Sequence, residues 1–511
     1  MLLKDMERAV SILCEAVDTG KKIRIVGDYD IDGVCSTYIL LQAFERLGSD
    51  VDFEIPDRIK DGYGINESII EQAHTDGVEV ILTCDNGISA FHQVELAKKY
   101  GMTVVITDHH EVPLDGEKEK IPPADAVIDP KQADCPYPFP EICGAVVAYK
   151  LVQVLYARRG VPQMEWLDLL EFAAIATVGD VMKLQDENRI LVKYGLKKMA
   201  QTKNLGLRRL AEKNNLDLGA ITAYHIGFVI GPCLNAGGRL KTAKEALALL
   251  RAQSEEEAER LAEELKELND TRKDMTEQGT EAAKLQVESW YQKDKVLFLP
   301  ECHESLAGII AGRLREYYQK PAIVLTRGEE AVKGSGRSID EYHMFKKLTE
   351  VSDLLLKFGG HPLAAGLSLE EKNIDEFRRR LNENAGLTEE DFKAKVWIDV
   401  PMPVGYVTER LVRELSCLEP FGQGNEKPLF AEKSLRIRAS RVLGRNRNVV
   451  KMTLEETDGH AIEALYFGDG TAFEEERAGR REIDVVYYPD INEYNGRKTL
   501  QAVIRRYKFR G

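Results

Sequence analysis

The stretch IRIVGDYDIDG, residues 23–33, decides the fold. It joins a short run of Ile and Val to three aspartates that alternate with other residues and end at a glycine. Comparable apolar runs recur downstream among helical segments, at VDFEIP (51–56), VEVILTCD (78–85), VVITDHH (104–110) and DAVIDP (125–130). This alternation is typical of repeated βαβ units. We therefore predict an α/β domain with a doubly wound parallel sheet.

Polar side chains lie at the ends of these predicted strands. Asp28, Asp85 and Asp108 each lie at or just past the end of an apolar run, and open parallel sheets bind ligands at the carboxyl ends of their strands. Taken singly, each surrounding cluster fits an ordinary turn. A further aspartate lies on an apolar helical segment, where a lone carboxylate is costly to bury. We interpret four clusters as one site: GDYDIDG (27–33), CDNG (84–87), TDHHE (107–111) and VGD (178–180).

Three carboxylates crowd the first cluster, since Asp28, Asp30 and Asp32 alternate just past a strand. A pair of divalent cations would relieve their repulsion, and oxygen ligands with one or two histidines suit Mn²⁺ or Mg²⁺. Two such ions can activate a water and stabilise a departing alkoxide. Because the sequence offers no nucleophilic Ser or Cys motif, we expect metal-activated water to be the attacking group.

Composition excludes several classes of protein. The 511 residues are too many for one compact core and suggest about three domains. With 43% hydrophobic and 30% charged residues, the chain is neither disordered nor fibrous. Eight cysteines without a CxxC pair argue against a disulfide framework or a structural zinc site. The net charge of −15 argues against a surface coated all over with nucleic acid, but it is compatible with a local basic channel.

The sequence shows no membrane signal. No apolar run approaches the length of a bilayer span. Residues 1–17 have acidic residues within their apolar stretch and are typical of an amphipathic helix, not of a signal peptide. We expect a cytoplasmic protein without a membrane partner.

The rest of the chain changes character three times. A helical region follows the sheet, and within it Ser254 and Glu257 predict a capping box at the start of a long connector helix. Mixed α and β patterns return from Lys295. From about Lys395 short apolar runs predict a small β-barrel of the OB type, namely VWIDV (396–400), LRIRASRVL (435–443), NVVKMTLEE (448–456), EALYF (463–467), IDVVYY (483–488) and TLQAVIRRY (499–507).

The order of these motifs resembles the DHH phosphoesterase superfamily, and within it the RecJ family of single-strand exonucleases. DYDxDG, DNG, DHH and a helix-borne Asp follow one another as they do in that family. Further segments look like its later domains: PCLNAGGRL (232–240), GSGRS (334–338), GGHPLAAG (359–366) and LEPFGQGNEKPLF (418–430). The resemblance implies a DHH catalytic domain, a helical region with the connector helix, a mixed α/β DHHA1 domain and an OB-fold nucleic-acid-binding domain, at residues 1–190, 191–290, 291–390 and 394–511.

Roles for individual residues follow from the resemblance. The residues implied to hold two metal ions, Mn²⁺ or Mg²⁺, with Asp85 as the bridge, are Asp30, Asp32, Asp85, His109 and Asp180. Those implied to lie behind the ligands or to meet the scissile phosphate are Asp28, Asp108 and His110. Those implied to bind phosphate or DNA are Arg58, Tyr63, Asn235, Arg239, Ser335, Arg337, Gly360 and His361. One position departs from other DHH members, because Val26 stands where some carry a histidine, a change that RecJ relatives also tolerate.

Some of these residues also have plain structural interpretations. GSGRS is either a phosphate-binding segment or an exposed loop, and His361 is either a phosphate donor or a core histidine. Arg58 and Tyr63 are either contacts to a terminal phosphate and a base or a loop Arg and a half-buried Tyr.

The last domain is locally basic. Residues 431–451 hold seven Lys and Arg against one Glu, and residues 496–511 hold six against no acidic residue. Together with Phe467, Tyr487 and Tyr494, these residues are predicted to line a groove for a single strand, in which aromatic rings stack on bases.

The leading hypothesis is a processive 5′-to-3′ exonuclease that degrades single-stranded DNA to mononucleotides in repair or recombination. Direction and processivity come from the resemblance, which also implies a monomer that cooperates with a helicase and a single-strand-binding protein. RecJ proteins usually carry a longer segment before the first strand, and no DNA contact is assigned to that region here. Two alternatives stay open: a phosphodiesterase for short oligoribonucleotides or cyclic dinucleotides, and a catalytically silent replication accessory protein.

Overall fold

The computed structural model describes residues 2–58, 61–291, 293–299, 304–328, 331–494 and 496–510. The chain divides into two compact units, Met1–Ala394 and Lys395–Gly511. Within the described ranges, no helix combines the length and the apolar character that a membrane span requires.

The first unit opens with the predicted parallel sheet. Its strand order is β2-β1-β3-β4-β7 and all four pairings are parallel. A separate two-stranded ribbon, β5 (Leu114–Asp115) and β6 (Lys118–Glu119), precedes the last strand. The bounds of the five sheet strands are β1 (Ile23–Val26), β2 (Val51–Glu54), β3 (Val80–Cys84), β4 (Thr103–Thr107) and β7 (Ala126–Ile128).

Helices cover both faces of this sheet, which confirms the doubly wound prediction. One face packs against α1, α2 and α5, and the other packs against α3 and α4. Burial on both faces explains why β1, β3 and β4 are apolar runs and not alternating patterns. The helices up to the end of this layer are α1 (Met6–Thr19), α2 (Ile31–Arg46), α3 (Glu67–Thr75), α4 (Phe91–Lys99) and α5 (Gly144–Arg159).

A helical region follows and ends in the predicted connector helix, α13 (Glu255–Gln286). Ser254 caps the helix as predicted, because its Oγ accepts a hydrogen bond from Glu257 N at 3.2 Å. The second half of the predicted capping box differs, since the Glu257 carboxylate accepts its hydrogen bond from Gln253 N, at 3.1 Å, and not from Ser254 N. Between α10 and α11 the chain makes a π-helical turn, Ile226–Ile230. The remaining helices are α6 (Gln163–Leu167), α7 (Leu170–Gly179), α8 (Asp186–Met199), α9 (Leu205–Lys213), α10 (Ala223–His225), α11 (Gly231–Leu240) and α12 (Lys244–Arg251).

The first unit closes with a second, mostly antiparallel sheet of order β11-β12-β10-β9-β8. Residues 334–337 lie in β10 and pair with β9 and β12, so the interpretation of GSGRS as an exposed loop is wrong. Its elements are β8 (Leu297–Leu299), α14 (Ala307–Tyr318), β9 (Ala322–Arg327), β10 (Val332–Arg337), α15 (Met344–Thr349), β11 (Leu355–Gly360), β12 (Ala364–Leu369) and α16 (Ile374–Glu383).

The second unit is a six-stranded sheet of order β13-β14-β15-β16-β18-β17, in which β14 also pairs with β17. That extra pairing brings the far strand back to β14 and gives the predicted barrel. Its elements are β13 (Val400–Pro401), α17 (Glu409–Leu415), β14 (Phe430–Leu443), β15 (Val449–Glu455), β16 (Ala461–Phe467), α18 (Gly470–Arg477), β17 (Glu482–Tyr494) and β18 (Arg497–Arg510).

Two expectations for this unit are wrong. Only Val400 of the predicted strand 396–400 pairs with another strand, and Trp397 is 87% exposed. Tyr487 is fully buried, and its hydroxyl donates a hydrogen bond to the Met402 carbonyl at 2.9 Å. A base cannot reach that ring. Phe467 is 62% exposed, and the side chain of Tyr494 lies outside the described residues.

Candidate metal centre

The carboxyl ends of three neighbouring strands bring the predicted aspartates together. Asp28 follows β1 by two residues, while Asp85 and Asp108 directly follow β3 and β4. Because the strands are parallel and adjacent in the order β1-β3-β4, these three carboxylates share one edge of the sheet. All three are 2% exposed or less.

The turn between β1 and α2 adds two further carboxylates. Asp30 caps the helix, since its Oδ1 accepts hydrogen bonds from Asp32 N at 2.9 Å and Gly33 N at 3.1 Å. Gly33 packs so closely that a Cβ there would lie 2.4 Å from the Asp28 carbonyl oxygen. The sequence therefore needs glycine at this position for the turn to bring Asp28, Asp30 and Asp32 together.

His109 lies at the centre of the group. Its Nε2 is 3.1 Å from Asp85 Oδ1, 3.4 Å from Asp32 Oδ2 and 3.8 Å from Asp180 Oδ2. Asp180 arrives from another direction, at the C-terminal end of α7. Thus residues far apart in sequence converge on one imidazole.

Three overlapping sets of side chains have donor atoms within 4.8 Å of one another. Asp85 belongs to two sets and so does His109, which is the arrangement expected when adjacent ions share ligands. Asp28 and His110 also lie in these sets, although the resemblance implied other roles for them. The sets are Asp28, Asp30 and Asp85; Asp32, His109 and Asp180; and Asp85, His109 and His110.

The residues present fit divalent cations. Asp85 Oδ1 is buried and accepts no hydrogen bond within the part of the chain that the structure describes, so a cation is the partner that would satisfy it. Carboxylate oxygens with one or two imidazoles form a donor set suited to Mn²⁺ or Mg²⁺.

Negative charge is in excess at this centre. Burial, and then the neighbouring carboxylates, raise the pKa of Asp85 well above its usual value and raise the pKa of Asp180 to about 8. Burial alone would raise the pKa of Asp108, but its hydrogen bond with His110, the charges of His110 and His109 and the Ile88 N–H together outweigh burial and lower the pKa. His110 Nδ1 lies 2.8 Å from Asp108 Oδ1. The centre therefore favours the arrival of positive charge.

The backbone of α5 holds Asp32, a contact that the sequence did not reveal. Asp32 Oδ2 accepts a hydrogen bond from Gly144 N at 2.7 Å, and its Oδ1 accepts one from Ala145 N at 2.8 Å. A Cβ on Gly144 would lie 2.7 Å from the Asp85 Cβ. A glycine at the start of a helix is too common to have indicated this contact from the sequence.

Tyr63 and Asn86 brace the strand ends. The Tyr63 hydroxyl donates to the Asp85 carbonyl at 2.9 Å and also lies 2.9 Å from His110 Nδ1. The Asn86 amide donates to the carbonyls of Val26 and Cys84, both at 3.0 Å. Asn86 was part of a recognised motif, but only the structure shows that it ties β1 to β3.

Arginines from distant segments gather next to the carboxylates. Burial, and then the charges of Arg58 and Arg272, lower the pKa of Arg239 to about 10. Burial, and then the charges of Arg315 and Arg58, also lower the pKa of Arg337. A phosphate would relieve this repulsion. Arg272 and Arg315 were not predicted, because no motif marks them.

Ser335 lies within this arginine group, since its Oγ accepts a hydrogen bond from Arg337 Nη1 at 3.2 Å. Arg239 Nη1 donates to the Ser305 carbonyl at 3.0 Å. Asn235 is half-buried on the same helix as Arg239. The structure therefore brings four of the predicted phosphate contacts, Arg58, Arg239, Ser335 and Arg337, to one region.

Gly360 and His361 lie at the end of β11. Gly360 has a positive φ of 147°, and a Cβ there would lie 2.4 Å from the Ala364 carbonyl oxygen. His361 is exposed, so the alternative of a core histidine is wrong. It acts on Glu111, whose pKa is lowered first by Lys131 and also by His361.

Comparison with known proteins agrees with this geometry. Three family models match: the DHH family N-terminal domain at residues 22–177, the DHHA1 domain at 293–386 and the RecJ OB domain at 398–506. The single-stranded-DNA-specific exonuclease RecJ of Escherichia coli K12 is 35% identical over 527 residues, covering 98% of this chain and 90% of the relative. The chain belongs to the RecJ family.

Other RecJ relatives extend the comparison. The Bacillus subtilis RecJ is 37% identical over 509 residues, and the chain spans 98% of its own length but 63% of that relative. The crystal structure of Thermus thermophilus RecJ in complex with Mn²⁺ matches with a TM-score of 0.85 and 30% identity. That match covers 99% of this chain and 72% of the Thermus chain.

Gly144→Ala is expected to weaken Mn²⁺ binding by about 10- to 100-fold, because the new methyl group displaces Asp85 and disturbs the two N–H donors to Asp32. Isothermal titration calorimetry with Mn²⁺ measures the effect. Gly312→Ala is the matched control, since a Cβ at that helical glycine has no neighbour within 4 Å. Equal Mn²⁺ affinity in the two variants would contradict the geometry described for Asp32 and Asp85.

Proposed function

We propose that this RecJ-family chain is a hydrolase that removes mononucleotides from the 5′ end of single-stranded DNA, using two divalent ions, Mn²⁺ or Mg²⁺. The observation that carries the proposal is the group of overlapping donor sets that are linked through Asp85 and His109, next to a cluster of arginines. Such an activity would serve in DNA repair or recombination.

Asp30, Asp32, Asp85, His109 and Asp180 would hold the ions, and Asp28 lies close enough to join them. When bound, the ions supply an activated water and neutralise the charge that develops on the phosphate. Asp108 orients His110 through the 2.8 Å contact, and Tyr63 braces both His110 and the Asp85 backbone. The chain itself thus fixes the positions of the ligands before a substrate arrives.

The arginines would bind the 5′ end of the DNA strand. The charge of Arg58 contributes to the lowered pKa of both Arg239 and Arg337, and a group of like charges of this kind is suited to the doubly charged phosphate of a 5′ terminus. A terminal phosphate held there, beside the ions, leaves the first linkage at the metal centre. This arrangement supports release of one nucleotide at a time.

The alternatives fit less well. A phosphodiesterase for short oligoribonucleotides or cyclic dinucleotides does not need the basic second unit, and a silent accessory protein does not need intact metal ligands. Cooperation with a helicase and a single-strand-binding protein, a monomeric state and a cytoplasmic location remain predictions.

Asp85→Asn keeps the shape of the side chain but removes a carboxylate that belongs to two of the three donor sets. We expect Mn²⁺-dependent release of mononucleotides from 5′-labelled single-stranded DNA to fall by at least about 100-fold, while the strand is still bound. Asp115→Asn changes an exposed carboxylate on β5 and serves as the control. Normal turnover by Asp85→Asn would refute the assignment, and preferential cleavage of RNA oligomers or cyclic dinucleotides by the wild type would favour the alternative.

The second unit is proposed to bind single-stranded nucleic acid as well. Arg441 on β14 lies directly opposite Lys451 on β15, and both side chains are exposed. Lys451 Nζ also pairs with Glu463 at 2.9 Å, which offsets one of these two positive charges and leaves the other for an anion. A nucleic-acid backbone is an anion of the right kind.

Replacing both residues with glutamine is therefore expected to weaken binding to long single strands at low salt. The slope of log affinity against log salt should decrease by about 0.7 for each phosphate that the double variant no longer neutralises. Arg410→Gln is the control in the same unit, because Arg410 pairs with Glu414 at 2.8 Å on the surface of α17. An unchanged slope in the double variant would show that Arg441 and Lys451 do not contact the bound strand.

A further inference from the structure

An exposed aromatic pair lies outside the groups described so far. Tyr224 and Phe228 are 63% and 67% exposed, and their rings stack with centroids 4.7 Å apart. Adjoining large apolar side chains at the surface mark interaction sites more often than scattered ones do. No motif in the sequence pointed to this pair.

The helical segment that carries Tyr224 and Phe228 also carries Arg239 of the arginine group. α10 continues through the π-helical turn Ile226–Ile230 into α11, so that one helical segment runs from Tyr224 to Arg239. Turns of this kind recur at functional sites. At 1.5 Å per residue, Phe228 and Arg239 are about 16 Å apart along the axis, which is several base steps of a nucleic-acid strand.

The inner face of the same segment packs against elements of the metal centre. Ile226 and Ile230 are fully buried. A Cβ added to Gly227 would lie 3.7 Å from Val178 Cγ1, and Val178 precedes Asp180 by two residues. The aromatic pair is therefore anchored beside the helix end that presents Asp180.

Two further apolar residues, Ile31 and Val181, lie next to candidate metal ligands in sequence. A Cβ added to Gly231 would lie 3.4 Å from Cδ1 of Ile31, the residue that directly follows Asp30. Val181, which directly follows Asp180, is 66% exposed. The apolar surface thus adjoins the candidate metal ligands Asp30 and Asp180, and the arginine group lies at the far end of α11.

We propose that Tyr224 and Phe228 are a stacking platform for the bases of a single strand on the 3′ side of the linkage that is cut. The inference rests on the proposed function. A strand whose terminal phosphate is held by arginines at one end of the segment presents bases, not further phosphates, to apolar rings at the other end. Because every base has a π face, such a platform accepts strands without regard to sequence.

Equilibrium binding tests the platform without depending on cleavage. Fluorescence anisotropy, with no divalent ion added, compares a 5′-phosphorylated single strand with a fully abasic strand of the same length. We expect the double variant Tyr224→Ala/Phe228→Ala to bind the normal strand at least about tenfold more weakly than the wild type. Both proteins should bind the abasic strand equally, because no base remains to be stacked.

Tyr194→Ala is the matched control, since Tyr194 is 55% exposed on a different helix of the same unit; it should bind both strands as the wild type does. Unchanged affinity of the double variant for the normal strand would overturn the inference. An equal loss on the abasic strand would overturn it too, since the loss would not come from bases. Absence of Mn²⁺-dependent cleavage by the wild type would refute the proposed function and leave this binding result standing.

Discussion

Buried negative charge is the constraint on which the rest of the structure depends. Asp28, Asp32, Asp85 and Asp108 are each 2% exposed or less, and an ionised carboxylate is costly to bury without partners. Backbone N–H groups satisfy Asp32 and Asp108. Asp85 Oδ1 has no such donor among the described residues. The fold therefore leaves a defined place for cations.

The same constraint links the fold to the substrate. Parallel strands supply carboxylates at one sheet edge, α7 supplies Asp180, and the start of α5 supplies N–H donors. Arginines lie alongside, with Arg239 on α11 and Arg337 on β10, and the charge of Arg58 repels both. Ions bound by the carboxylates and a phosphate bound by the arginines would neutralise each group, so a phosphodiester end is the ligand that satisfies both at once.

Local patterns in the sequence predicted the parallel sheet and the clusters at its edge, because buried strands and turn aspartates leave strong signals. Contacts that form only through tertiary packing leave no such signal in the sequence. The hydrogen bond from Gly144 N to Asp32 is one example, and the position of Arg272 is another. Tyr487 was misjudged because alternation along a strand does not say which face is the inner one. The strand at 396–400 was misjudged because its apolar residues, Trp397 among them, stay exposed.

These side chains are proposed to bind two neighbouring ions. Anomalous diffraction from crystals of the protein grown with Mn²⁺ can show this, because it locates manganese without reference to activity. We expect two peaks, one among Asp28, Asp30 and Asp85 and one among Asp32, His109 and Asp180. A single peak, or manganese bound elsewhere while these carboxylates remain without it, would refute a two-ion centre.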